Sequence, residues 1–213
     1  MTIDIESEVR QLFVTPLVQM RLAGCGELLG ELRDTIIQRS EADPGVGHSN
    51  RGGWQSRDDL LDWGGQPASQ IFRVIRAAID RITMTYTAGG LVRQAIPWKV
   101  NAWANINRSG HANDLHCHPG CFWSGCFYVD DGGIGGQEGM GGAIEFYDPR
   151  GPLPMAYNPL LKMALKGCVT AGLGERVLPE TGKLLIFPSW LTHSVQAYDG
   201  DGIRISVAFN FSV

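Results

Sequence analysis

His116-Cys117-His118 is the stretch of sequence from which the fold and the site can be worked out. Side chains alternate between the two faces of a β-strand, so two histidines separated by one residue place both imidazoles on the same face. Pro119 and Gly120 follow directly, which ends the strand and leaves the two imidazoles at a rim. A close pair of histidines at a strand end is a pattern typical of metal ligands.

A third histidine, His193, lies 75 residues beyond His118. It follows the apolar strand 183–187 and the turn Pro188-Ser189-Trp190, so it begins a further strand. A jelly-roll barrel brings such strand ends together around one mouth, and we therefore expect the three histidines to share one metal ion. Neutral imidazole binds iron, zinc, copper and nickel, so the histidines alone do not choose the metal.

Arg204 opens the closing strand 204–211 and shares a face with Ser206. If the guanidinium points inward it needs an anionic partner, because an unpaired buried charge is very costly. A dicarboxylate bound beside the metal would supply that partner, and Ser206 would donate a second hydrogen bond. The alternative is a strand arginine that points outward to solvent.

The first half of the chain is helical and the second half is rich in strands. Residues 12–22, with Pro16, are typical of an edge strand, and the apolar spacing predicts amphipathic helices at 26–41 and 67–86. Short strands are then predicted at 98–107, 113–118, 122–130, 142–147, 176–179, 183–188, 192–198 and 203–212. This segregation argues against a doubly wound parallel sheet and favours an antiparallel sandwich or barrel with helices on one side.

The glycine-rich segment from His48 to Ser56 carries Trp54 among polar residues. It is either a surface loop whose tryptophan packs into the core or a loop that serves function. The segments 43–65, 130–141 and 149–175 are expected to form lids over the site.

Length and composition fit one soluble domain over residues 1–213. The net charge is −4 and no basic run is present, which gives no reason to expect nucleic-acid binding. No apolar stretch approaches the ~18 residues that would span a bilayer. The start, Met1 to Glu6, is acidic and lacks the order of a signal peptide.

Five cysteines, an odd number, suggest reduced thiols and a cytoplasmic location. Cys117, Cys121 and Cys126 do not have the spacing of a zinc site. We expect them to be small apolar core residues.

The order of motifs resembles the 2-oxoglutarate/Fe(II)-dependent dioxygenase superfamily, in its prolyl-hydroxylase-like branch, and within it a group of small bacterial proteins. The resemblance covers residues 97–213, and before them only Asn50, Trp54 and Ser56 match the narrower group. The matching motifs are His116-Cys117-His118, residues 123–129, Gly141-Gly142-Ala143-Ile144-Glu145-Phe146, residues 179–188, His193 and Arg204-Ile205-Ser206.

The resemblance implies a double-stranded β-helix at 96–213, buttressed by an N-terminal strand and helices at 1–95. The superfamily's first motif is His-x-Asp or His-x-Glu, so His116 and His193 match ligand positions, whereas His118 stands where a carboxylate is expected. A three-histidine site for Fe(II), a site with water in place of His118, and a changed metal all remain open. Asp114 is an alternative carboxylate ligand, ranked below His118.

The resemblance also implies 2-oxoglutarate as co-substrate, held through its distal carboxylate by Arg204, with Ser206 beside it and Tyr128 as a further contact. The reaction would hydroxylate a small molecule or a peptide and release succinate and CO2. Trp103, Asn105 and Trp123 would line the pocket or belong to the core.

Other classes of protein remain as alternatives. A cupin-like module that binds metal without turnover could use the same barrel and histidines, but it has no need of an inward Arg204. A zinc hydrolase needs a general base that the sequence does not offer in a recognisable arrangement. An inactive relative of the oxygenases and a homodimer that pairs through residues 12–22 are also left open.

Overall fold

The computed structural model describes residues 12–151 and 174–213, and these form three helices and thirteen strands. The helices are α1 (Gly26–Ala42), α2 (Leu60–Trp63) and α3 (Gly65–Ile82). The strands are β1 (Val18–Arg21), β2 (Asn50–Arg51), β3 (Trp54–Gln55), β4 (Thr85–Thr87), β5 (Gly90–Val92), β6 (Lys99–Asn107), β7 (Ala112–His116), β8 (Trp123–Asp131), β9 (Ile144–Phe146), β10 (Glu175–Val177), β11 (Lys183–Pro188), β12 (His193–Val195) and β13 (Arg204–Ser212).

Two antiparallel sheets form a double-stranded β-helix, as predicted. The larger sheet has the order β1-β11-β8-β13-β6-β3, and the smaller has the order β10-β9-β12-β7-β2. The chain passes between the two sheets repeatedly, from β6 to β7 to β8 and from β11 to β12 to β13. Strand ends from both sheets therefore meet at one cavity.

The large sheet separates the hydrophobic core from the cavity, because its central strands alternate in polarity. In β13, Ile205, Val207, Phe209 and Phe211 pack in the core against the helices. The intervening residues Arg204, Ser206, Ala208 and Asn210 line the cavity. β6 does the same, with Ala102, Ala104 and Ile106 in the core and Asn101, Trp103 and Asn105 in the cavity wall.

Helix α3 supports the large sheet through one apolar face. Ile71, Ile75 and Ile79 recur at helical spacing and are buried. Phe72 meets Phe209 edge to face, with ring centroids 5.8 Å apart. The helix ends at Ile82, and the hydroxyl of the next residue, Thr83, donates to the Ile79 carbonyl oxygen at 2.6 Å.

The predicted helix at 67–86 was too long. Residues after Thr83 form the hairpin of β4 and β5, because Thr85, Tyr86 and Thr87 favour extended structure. The predicted edge strand at 12–22 is confirmed over β1, which pairs with β11 alone. Part of the predicted lid at 149–175 lies outside the described residues.

The predicted loop at 43–65 contains regular structure. β2 adds to the small sheet through β7, and β3 adds to the large sheet through β6. Trp54 packs on the hydrophobic core and donates from Nε1 to the Asp43 carbonyl oxygen at 2.8 Å.

Among the described helices, none is both long and apolar enough to span a bilayer.

Gly125 in β8 occupies a position without room for a side chain. A Cβ there would overlap the ring of Phe209 and lie 2.5 Å from the Leu185 carbonyl oxygen. We therefore expect Gly125→Ala to lower the free energy of unfolding by about 2–3 kcal/mol, as measured by urea denaturation.

Gly30→Ala is the matched control for this prediction. A Cβ at Gly30, within α1, meets nothing within 4 Å. The change should raise the free energy of unfolding by up to about 1 kcal/mol, because alanine favours a helix over glycine. Equal destabilisation by the two variants would contradict tight packing at Gly125.

Candidate metal and co-substrate site

The structure brings together the three histidines that the sequence singles out. His116 is the last residue of β7 and pairs in register with His193, the first residue of β12. Their ring centroids lie 4.4 Å apart, and the centroid of His118 lies 5.1 and 5.2 Å from those of His116 and His193. One ligand atom from each histidine lies within 4.8 Å of the other two, close enough for a single ion to contact all three.

His118 reaches the cluster from a turn. The strand was predicted to run to residue 118, but β7 ends at His116. The backbone N–H of His118 donates instead to the Ser189 carbonyl oxygen at 2.9 Å, which ties the turn to the segment that precedes His193. Its ring lies 5.7 Å from that of Trp103, centroid to centroid.

Backbone carbonyls fix the orientation of two of the imidazoles. Nδ1 of His116 lies 2.7 Å from the Asp114 carbonyl oxygen, and Nδ1 of His193 lies 2.8 Å from that of Leu191. A carbonyl oxygen only accepts hydrogen bonds, so each Nδ1 carries the proton. Nε2 of each ring therefore keeps its lone pair, which can bind a metal. At His116 the Ser49 hydroxyl lies 3.5 Å from this atom.

Burial keeps the three imidazoles neutral. Desolvation, with the nearby His116 ring as a second cause, lowers the pKa of His118 to about 4. Desolvation lowers the pKa of His193 to about 3. The nearby His116 ring, and more weakly His118, add to this lowering, whereas the hydrogen bond to the Leu191 carbonyl oxygen raises the pKa. Desolvation also lowers the pKa of His116, against a raising effect of Asp114. Neutral imidazoles at pH 7 are ready to act as ligands.

The donor set fits a first-row transition metal such as Fe(II). Among the described residues, the cluster contains three histidines and no carboxylate. Asp114, the alternative ligand, is exposed and forms an ion pair with Arg51. Three neutral nitrogens bind such an ion without offsetting its charge.

Arg204 lies in the wall of the same cavity and is only 2% exposed. Its Nη1 donates to Oδ1 of Asn107 at 3.1 Å, while its Nε has no hydrogen-bond partner. Within the described part of the chain, no carboxylate forms an ion pair with it. The arginine therefore points inward, which a plain cupin-like metal-binding module would not require.

Tyr128 and Ser206 flank this arginine. The guanidinium carbon lies 5.2 Å from the centroid of the Tyr128 ring, a cation–π contact. The Tyr128 hydroxyl is buried without a partner, and burial raises its pKa far above the usual range, so it stays protonated as a donor. Ser206 is buried and pairs with Tyr128 across β13 and β8.

The cavity has a volume of about 680 Å³ and contains both the histidines and Arg204. Asn101 and Asn210 face each other across β6 and β13 and lie six residues along their strands from the Arg204 end. Trp103 and Asn105 line the cavity, whereas Trp123 belongs to the core and donates to the Thr83 hydroxyl at 2.8 Å.

Sequence reasoning left open a functional role for the segment from His48 to Ser56, but it did not single out most of the polar residues of the wall. The segment before α2 contributes side chains that include Ser49, Gln55 and Asp58. Asn107, which contacts Arg204, was also not predicted. The alternation of Asn101, Asn105 and Asn107 with apolar residues along β6 was the available signal.

The cysteines are less uniform than predicted. Cys117 is exposed rather than buried in the core, because β7 has ended before it. Cys126 lies in the cavity wall, where burial raises the pKa of its thiol.

The β-helix fold and the cluster of three histidines are those expected of a non-haem metal enzyme, and comparison with known proteins identifies the class. Residues 101–210 match the family model described as "Putative 2OG-Fe(II) oxygenase". The chain belongs to this 2-oxoglutarate/Fe(II) oxygenase family. It is an oxidoreductase that depends on Fe(II) and on 2-oxoglutarate as co-substrate.

Solved structures share the fold at low sequence identity. A Pseudomonas putida prolyl-4-hydroxylase is 15% identical, with a TM-score of 0.62 over 92% of this chain and 91% of that chain. A Trichoplax adhaerens prolyl hydroxylase is 12% identical, with a TM-score of 0.63 over 92% and 83%. HygX from Streptomyces hygroscopicus is 12% identical, with a TM-score of 0.57 over 93% and 83%. No curated protein matches the sequence.

The lowered histidine pKa values predict how the stability of the metal-free protein changes with pH. Below the unfolded pKa of 6.5, the unfolded chain binds protons that folded His193, with a pKa of about 3, does not. Stability should therefore fall as the pH falls from 6.5 towards 3, by up to about 1.4 kcal/mol per pH unit for this histidine.

Urea denaturation of the metal-free protein at about pH 7 and about pH 5 measures this dependence. His193→Asn removes one such histidine, so its stability should depend less steeply on pH than that of the wild type. An identical dependence in the two proteins would contradict a buried neutral imidazole at this position.

Proposed function

We propose that His116, His118 and His193 hold the Fe(II) and that the enzyme hydroxylates a small-molecule or peptide substrate. In this proposal Arg204, Ser206 and Tyr128 bind 2-oxoglutarate. The observation that carries it is the buried guanidinium of Arg204, which lacks a carboxylate partner among the described residues and shares one cavity with the histidines.

The metal and the co-substrate, when bound, supply the oxidation, in which O2 and 2-oxoglutarate convert a C–H bond to C–OH with release of succinate and CO2. The chain supplies position and environment. His116 and His193 are oriented by their carbonyl partners, and both present Nε2 to the cavity. The apolar residues Ile144 and Phe187 help to exclude water from this part of the wall.

Arg204 is suited to the distal carboxylate of 2-oxoglutarate. Its free Nε and the free hydroxyl of Tyr128 are donors that an anion would satisfy. The Ser206 hydroxyl lies on the same face of β13 and offers another donor. A carboxylate at this point would also neutralise the buried positive charge.

The part of the cavity beyond the histidines would receive the substrate. It is walled by Asn101, Asn210 and the segment that carries Ser56 and Asp58. Amide and hydroxyl groups can bind either a small polar molecule or a peptide backbone. The related Trichoplax enzyme was solved in complex with a peptide fragment, which supports a peptide as one class of substrate.

The proposal extends to the whole chain. Residues 1–213 would form one cytoplasmic domain, with 1–95 supporting the barrel at 96–213. Helices α1 and α3 share one hydrophobic core with the large sheet, which supports this.

The net charge of −4 supports the absence of a nucleic-acid partner. A homodimer formed through β1 would use the edge strand of that sheet.

Anaerobic titration of Fe(II) and 2-oxoglutarate into the metal-free protein tests the proposal. We expect a visible charge-transfer band in the wild type. Arg204→Ala should weaken 2-oxoglutarate binding by roughly 100-fold, because it removes the charge that faces the distal carboxylate. His118→Ala should weaken iron binding by at least roughly 10-fold if His118 is a ligand.

Arg93→Ala, which removes an exposed arginine on the hairpin side of the molecule, is the control for the loss of a positive charge. It should leave both titrations unchanged. Iron binding without a band in the wild type would favour a metal-binding module without turnover. A band of full intensity in His118→Ala would exclude this histidine as an essential ligand.

A further inference from the structure

We propose that Asn107 is a positioning residue that holds the Arg204 guanidinium in place while leaving its charge available to 2-oxoglutarate. This inference rests on the proposed function, in which Arg204 binds the distal carboxylate of the co-substrate. It adds a residue that does not itself contact the ligand and explains why that residue is an amide rather than an acid.

Asn107 and Arg204 face each other at the ends of neighbouring strands. They are register partners in the pairing of β6 with β13. Arg204 donates from Nη1 to Oδ1 of Asn107 at 3.1 Å. Asn107 is 1% exposed, so water does not compete for this hydrogen bond. The amide therefore fixes one arm of the guanidinium.

Three polar atoms around this hydrogen bond have no partner. Nδ2 of Asn107, Nε of Arg204 and the Tyr128 hydroxyl are all buried without a hydrogen-bond partner. Arg204 and Tyr128 line the cavity, so two buried donors without acceptors there indicate that an acceptor group binds beside them. In the proposed complex, the distal carboxylate of the co-substrate accepts hydrogen bonds from Nε of Arg204 and from the Tyr128 hydroxyl.

The segment before α2 limits the space around the Asn107 amide. A Cβ at Gly53 would lie 2.8 Å from Nδ2 of Asn107 and 2.7 Å from the Ile106 carbonyl oxygen. The Gly53 backbone therefore packs closely against the amide. This contact leaves the amide little freedom to turn away from the guanidinium.

A neutral partner matters because of the charge of the site. A carboxylate at position 107 would form a buried ion pair with Arg204 and would neutralise it in a medium of low dielectric constant. The second carboxylate, that of the co-substrate, would then meet no net positive charge. The amide gives the same hydrogen-bond geometry without this competition.

Asn107→Asp tests the inference, because it keeps the shape of the side chain and adds the competing charge. Binding of 2-oxoglutarate and of 2-oxopentanoate, which has the same chain without the distal carboxylate, would be measured anaerobically by calorimetry with Fe(II) present. We expect the wild type to prefer 2-oxoglutarate by roughly 100-fold and the variant to prefer it by less than about 10-fold.

Thermal unfolding separates positioning from a general structural role. Asn107→Asp should not unfold at a lower temperature than the wild type, because the new carboxylate pairs with Arg204. Asn107→Ala removes the acceptor without adding charge, so it should weaken 2-oxoglutarate binding by roughly 10-fold and leave 2-oxopentanoate binding unchanged. Gln19→Glu on β1 makes the same amide-to-acid change outside the cavity and should alter neither affinity.

An unchanged preference for 2-oxoglutarate in Asn107→Asp, or an equal loss for both oxo acids in Asn107→Ala, would overturn the inference. If Asn107→Asp does not fold, the Asn107→Ala measurement decides alone. A wild type that binds the two oxo acids equally would instead overturn the proposed function. A preference that Arg204→Ala abolishes and Asn107→Asp retains would overturn the role of Asn107 only.

Discussion

A buried positive charge without an acidic partner in the described chain is the constraint around which the cavity is arranged. Arg204 cannot remain in this wall unless something satisfies it. Its partners in the chain are a neutral amide and the face of an aromatic ring. Both orient the guanidinium and neither neutralises it, so the protein retains electrostatic free energy that a bound anion can recover. Stability and ligand binding are thereby linked at one residue.

The pleat of two strands makes this arrangement compatible with a stable fold. β6 and β13 each present apolar side chains to the helices and polar side chains to the cavity. The same hydrogen-bonded ladder therefore carries the core and the site. A shift of one residue in this pairing would exchange the two faces. The burial of Phe209 and Phe211 thus fixes the position of Arg204 and Ser206.

The alternation of side chains between the two faces of a strand is also the reason that much of the site could be predicted from the sequence. The positions of Arg204 and Ser206 on one face follow from a period of two. The same rule predicted that His116 and His118 lie close together, although His118 lies in a turn beyond β7. Their approach to His193 could be expected only through the barrel, since 75 residues separate them. The route taken by His118 could not be predicted, because the end of β7 depends on its pairing with β12. The strands β2 and β3 were missed because tertiary pairing outweighs local composition there, whereas the end of α3 was signalled by the strand-forming residues Thr85, Tyr86 and Thr87.

Two positions in the cavity carry neutral groups where an acid would be the ordinary choice. His118 stands where the resemblance of the sequence predicts a carboxylate, and Asn107 stands beside a buried arginine. Each replacement leaves one unit of positive charge without an offset. With Fe(II) held by three neutral imidazoles, the metal and Arg204 would together bring three positive charges to a cavity with few competing water molecules. A dianionic co-substrate would reduce this net charge from three to one. The site therefore comes close to neutral only when the co-substrate is bound. The same electrostatic demand therefore connects the unusual histidine, the amide at position 107 and the choice of an oxo-dicarboxylate as ligand.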